Sequence, residues 1–240
     1  MSLLAGVVGT AIGAVAMIAI KTHNRVSMSA ILSFTAGFML AMVCFDMLPE
    51  AVEHAGLGAV LPCAGLGVAI VWGLGRLLNV PMRRYLKDDG GAGRMRAAAM
   101  LLILAIGLHN FPEGMAIGAF DGASRRIAFA LLIAVHNVPE GMAICAMLRR
   151  GGVRNGAAVA WSVLAGLPTV LGAIVGYWVS GISAIFTGIC LALAAGAMLF
   201  VVFQDMFAES YENGEKNWNA ITAIFGILLG YGVISMIAHG

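Results

Sequence analysis

Residues His109–Ile117 read HNFPEGMAI, and residues His136–Ile144 read HNVPEGMAI. Eight of the nine positions are identical at an offset of 27. That offset is about one bilayer crossing plus a loop, so the copies belong to consecutive, antiparallel crossings that face each other head to tail. Working outward, each copy sits inside a long apolar run. His and Glu are costly at membrane depth and face a bundle interior or a water-filled path.

The whole chain has the composition such a setting requires. Its 240 residues are 61% hydrophobic and 11% charged, with a mean hydropathy of +0.95. A soluble domain carries about 25% charged residues. A cytoplasmic enzyme, a nucleic-acid binder and a disordered chain are therefore excluded. A helical span needs about 20 apolar residues, and the charge and turn clusters divide the chain into eight such stretches. They cover roughly residues 3–20, 28–48, 57–78, 97–119, 127–148, 156–179, 184–208 and 219–238. Long continuous runs require helices rather than a β-barrel, so the expected fold is all-α, a single transmembrane domain over 1–240. The first run has no basic residue before Lys21, which predicts a retained span rather than a signal peptide.

Placing both termini outside puts 12 of the 14 Lys and Arg residues on the cytoplasmic side, leaving Arg125 and Arg126 outside. That bias sets the orientation by the positive-inside rule. A second, longer-range repeat aligns AGFMLAMVCFDMLPEA at 36–51 with AGAMLFVVFQDMFAES at 195–210, with eight of sixteen positions identical. These copies fall in spans 2 and 7, which cross in opposite directions. Both repeats predict a two-fold axis in the membrane plane, with spans 1–3 mirrored by 6–8 around a central 4/5 pair. Inverted repeats of this kind build secondary transporters. GxxxG pairs at Gly9/Gly13, Gly114/Gly118, Gly172/Gly176 and Gly226/Gly230 predict close helix contacts.

His109 and Glu113 are one helical turn apart, as are His136 and Glu140. Two imidazoles and two carboxylates converging between two helices make a four-ligand set suited to Zn²⁺ or another borderline divalent ion. Asn110 and Asn137 add side-chain oxygens as extra or transient ligands. Pro112 and Pro139 free the carbonyls of Leu108 and Val135, which predicts kinks and irregular backbone along a permeation path. A single buried His–Glu pair would be ordinary helix packing; two near-identical copies point to a site. Asp46 and Asp205 are either gate or exit-path ligands or caps of helix ends. Glu50, Glu53 and His54 form a solvated loop or a cation-gathering mouth. Glu209, Glu212 and Glu215 read as a solvated helix end, with metal release as the alternative. Met39, Met42, Met47, Met198 and Met206 read as packing or lipid-facing residues. Cys44, Cys63, Cys145 and Cys190 are scattered and read as apolar packing.

The paired HNFPEG and HNVPEG motifs resemble the signature of the ZIP (Zrt/Irt-like) divalent-metal transporters. The resemblance covers essentially the whole chain and implies the ZIP bundle and inward movement of divalent metal, zinc being the commonest substrate. It also implies a transport site at His109, Asn110, Glu113, His136, Asn137 and Glu140, with Asp205 where many members carry a Glu in span seven. Two features depart from that pattern. Thr169, in AGLPTVLGA, takes the place of a span-six Glu, and the loop Asn79–Arg96 is short and lacks histidine. The expectation is thus a non-enzyme, with no catalytic cofactor, carrying Zn²⁺ or a related ion as substrate. Its partners are divalent ions and the lipid bilayer of the plasma (inner) membrane, without nucleic acid, and a homodimer is compatible with the sequence. The alternative is an intramembrane metal-dependent hydrolase, against which stands the absence of an HExxH motif with a free base.

Overall fold

The computed structural model describes the backbone of residues 5–20, 25–85, 90–119, 123–179, 184–213 and 215–239. The elements are α1 (Ala5–Ala19), α2 (Arg25–Met42), a π-helical turn π1 (Val43–Met47), α3 (Leu48–Ala55), α4 (Leu57–Tyr85) and α5 (Gly90–Ala119). They continue with α6 (Ala123–Arg150), α7 (Asn155–Val179), α8 (Ala184–Val201), a second π turn π2 (Val202–Phe207), α9 (Ala208–Asn213) and α10 (Lys216–His239). No strand occurs among the described residues. Because α2, π1 and α3 run on continuously, as do α8, π2 and α9, the described residues form eight helical rods where the sequence predicts eight spans. Among the described residues, six rods are long and apolar enough to cross a membrane. Of the others, α1 has only 15 described residues, and several side chains of α6 lie outside the described residues. The protein is an all-α, polytopic integral membrane protein.

Observed rods run longer than the apolar stretches: α4 continues to Tyr85 and α3 extends the second rod to Ala55. Hydropathy marks only the lipid-embedded part of a helix, whereas its backbone hydrogen bonds carry on into the polar interface. Gly56, at φ 74, closes α3, its N–H bonding the Val52 carbonyl at 2.8 Å. Gly152, at φ 79, closes α6 while Val153 N–H returns to the Leu148 carbonyl at 3.0 Å. Both positions favour glycine because a Cβ is strained at positive φ.

One expectation is corrected. The α-helical hydrogen-bond pattern continues through Pro112 and Pro139, and the changes of helix type among the described residues fall instead at π1 and π2. With no water to take up freed backbone groups, a helix in a bundle keeps its remaining hydrogen bonds past a proline. An inserted residue must widen the turn instead, which gives a π segment.

The packing obeys an internal two-fold relation. In lipid, helix association depends on close van der Waals approach rather than on hydrophobic expulsion, and glycine supplies the approach. A side chain on Gly114 of α5 would fall on the Thr169 carbonyl of α7, and one on Gly141 of α6 on the Thr10 carbonyl of α1. Gly172 meets the Phe111 carbonyl just as Gly13 meets that of Val138. Gly37 meets Ala223, and Gly196 meets Ala64. Each contact recurs with motif-helix residues shifted by 27 and all others by 159. The relation exchanges α5 with α6, α1 with α7, α2 with α8 and α4 with α10. Two groups of helices result. α1, α5, α6 and α7 pack mainly on one another, while α2 packs on α10 and α8 on α3 and α4. The contacts between groups are led by α5 on α8 and α2 on α6. The five methionines named above are buried in the core, and the exposed Tyr177, Trp178 and Trp218 stand at helix ends, where interfacial aromatics belong.

These crossings predict a sharp positional contrast. Gly172→Leu meets backbone, which cannot move aside, so it should cost at least about 3 kcal/mol, the top of the ordinary overpacking range. Gly58→Leu, at a position with nothing within 4 Å, should be neutral. Thermal unfolding of the purified protein in detergent distinguishes the two.

Candidate metal site

α5 carries His109, Asn110 and Glu113, and α6 carries His136, Asn137 and Glu140. The two motif copies meet crosswise: His109 Nε2 lies 2.8 Å from Glu140 Oε1. His109, Asn110, Asn137 and Glu140 expose no surface, and Glu113 exposes 1%. Two carboxylates at such depth each carry a desolvation cost of several kcal/mol when ionised, unless a cation or proton compensates them. The side chain of His136 lies outside the described residues; its backbone places it one turn before Glu140 on α6.

The asparagines show how α7 and α1 shape the centre. Asn110 Nδ2 donates to the Ala165 carbonyl of α7 at 2.9 Å. The two-fold equivalent of that acceptor is the Gly6 carbonyl of α1, which already accepts from Thr10 Oγ1 at 2.9 Å. Asn137 accordingly turns to its own helix and donates to the Ile133 carbonyl at 2.8 Å. Thr169, the equivalent of Thr10, loses its i−4 acceptor to Asn110, and its buried hydroxyl has no hydrogen-bond partner. With both amide nitrogens engaged, Asn110 Oδ1 and Asn137 Oδ1 remain buried without partners. Imidazole nitrogen, carboxylate and amide oxygens together are a donor set for a borderline divalent ion.

Not every expected residue gathers here. Asp46 lies in π1 and Asp205 in π2, at two-fold-related and half-buried positions. Among the described residues, no three His, Cys, Asp or Glu side chains share one ion-sized position. The His109–Glu140 contact joins the two motif copies among the described residues. Asp205 lines a neighbouring cavity with Leu108 of α5. His54 Nε2 is 3.7 Å from Glu50 Oε1 on α3. Glu53, Glu212 and Glu215 are exposed, while the side chain of Glu209 lies outside the described residues. Hydropathy and motif reading missed the Ala165 carbonyl and the two π turns. The paired aspartates of the long-range repeat were the signal for the turns.

The family model described as ZIP Zinc transporter matches residues 81–238. The chain is 35% identical to the zinc transporter ZIPB of Bordetella bronchiseptica, across 96% of this chain and 77% of that protein. It is 31% identical to the zinc transporter ZupT of Corynebacterium efficiens, across 98% and 94% of the two chains. It is likewise 31% identical to ZupT of Salmonella newport, across 98% and 93%.

Removing either buried carboxylate should disable the centre. Glu113→Ala and Glu140→Ala are each expected to weaken divalent-ion binding at least about 100-fold, the upper end for outer-shell partners alone. Glu53→Gln, at an exposed position, should bind normally. Isothermal titration of the purified variants reads the difference.

Proposed function

Because the chain belongs to the ZIP zinc transporter family, we propose that it carries zinc across the bilayer through the centre between α5 and α6. The observation that carries this reading is the buried His109–Glu140 contact joining the two motif copies. The ligands are His109, Glu113, His136 and Glu140, with Asn110 and Asn137 as exchangeable oxygens. Asp46 and Asp205 serve the two mouths of the path. The protein is not an enzyme, and the hydrolase alternative finds no support, since its named relatives are transporters.

Movement is inward across the plasma membrane, with both termini outside; the placement of 12 of 14 basic residues on the opposite side supports this orientation. Alternating access is relative motion of the two helix groups. The ion centre rides on α5 and α6, whose strongest partners α7 and α1 belong to the same group. The exchange of ligands at each end falls to the other group, which presents π1 and π2.

Two buried carboxylates balance one divalent ion. Thr169 contributes a hydroxyl and no charge, so a second ion close by is poorly compensated. The wild type should therefore bind one zinc tightly per chain. Proteoliposomes of the purified protein should take up zinc, and Glu140→Ala should not. Protons compete with the ion for the same nitrogens and carboxylates, so affinity should fall steadily as the pH is lowered. Two equally tight ions by titration, or affinity flat from neutral to acid pH, would overturn the ligand assignment.

A further inference from the structure

A cavity of about 240 Å³ lies between α4, α5 and the α8–π2 junction, its lining including Trp72, Arg76, Ala105, Leu108, Gln204 and Asp205. Its α5 wall reaches Leu108, directly before His109, and Ala105 on that wall stands one turn before His109 on the same helix face. One cation and one carboxylate occur among the lining residues, Arg76 and Asp205; most of the remaining wall is apolar. The guanidinium is stacked on Trp72, with its Cζ 4.6 Å from the ring centroid, rather than paired with Asp205. The lining therefore holds an exposed permanent positive charge, parked on an exposed aromatic ring of α4, and a half-buried carboxylate on the π2 wall. Arginine stays protonated at any working pH, and a group tethered to the wall competes at a high effective concentration.

We infer that Arg76 is the tethered counter-cation of the release path, moving from Trp72 onto Asp205 as the divalent ion leaves that carboxylate. The inference rests on the zinc-transport reading above. A carboxylate in an apolar cavity is costly without a positive partner, and it would hold or recapture a dication. A guanidinium that takes its place removes both obstacles and sends the ion onward. Trp72 holds the guanidinium off Asp205 while the ion is present, because a cation–π contact is weak enough to be exchanged for a charge pair. Arg76 is in this sense a positioning residue, acting on the ion through Asp205.

The test is zinc uptake by proteoliposomes at varied zinc, with zinc added or withheld on the exit side. Arg76→Gln should lower the maximal rate at least threefold and lower KM as well, and exit-side zinc should inhibit it more strongly than the wild type. Arg76→Lys should restore most of the rate. Asp205→Asn should remove the effect, so that Arg76→Gln costs little in that background. Trp72→Leu frees the guanidinium and should shift KM upward, opposite in sign. An Arg76→Gln variant with unchanged rate, a lower rate at unchanged KM, or additivity with Asp205→Asn would overturn the inference and leave the transport reading intact. So would equal shifts from Trp72→Leu and Arg76→Gln, as expected of a simple interfacial anchor. Wild-type liposomes that move no zinc would overturn the transport reading and this inference together.

Discussion

An imidazole 2.8 Å from a carboxylate, both without exposed surface, persists in a lipid-surrounded bundle only if helices shield it on every side. α5 and α6 cannot do this alone, since each has a lipid-facing side. α7 covers α5 and α1 covers α6, and both come close enough because glycines on each side of the seam let backbone touch backbone. Where a Cβ would strike a carbonyl oxygen, any larger residue would push the covering helix outward and admit lipid or water to the His109–Glu140 contact. Glycine placement and burial of the His–Glu contact are thus a single requirement.

The two halves repeat their backbone crossings but not their hydrogen bonds. On one side Thr10 claims the Gly6 carbonyl; on the other, Asn110 claims the equivalent Ala165 carbonyl and leaves Thr169 without a partner. Here the oxygens offered by α5 and α6 are held differently, Asn110 tied to a neighbouring helix and Asn137 tied to its own. The two sides of the centre are therefore unequal in their hydrogen bonds although their backbone crossings repeat.

The second group contributes its chemistry through irregular backbone. π1 and π2 each widen one turn and set Asp46 and Asp205 at half-buried, two-fold-related positions. A wider turn interrupts the regular ladder and re-aims its side chains, a device that recurs at functional sites. The cavity beside π2 is lined by both Asp205 and Leu108, so that the second helix group borders a space against α5.

Much was legible from residues alone. Eight apolar runs, the 27-residue repeat and the 159-residue repeat specified the helices, their number and the two-fold relation. Lipid leaves so few backbone options that hydropathy almost dictates secondary structure. The HN-PEG stretches marked His109, Glu113 and Glu140 because ionisable residues at that depth are too costly to be incidental. The sequence could not say that His109 meets Glu140 across the helices, since partner choice depends on the rotation of α5 against α6. Nor could it place the change of helix type at π1 and π2 rather than at Pro112 and Pro139, because proline announces itself in a sequence and a widened turn does not. The claim of Asn110 on Ala165, and the orphaned hydroxyl of Thr169 that follows, arose only when α1 and α7 packed. Two carbonyls equivalent by repeat then became unequal, one accepting from a threonine of its own helix and the other from an asparagine of its neighbour.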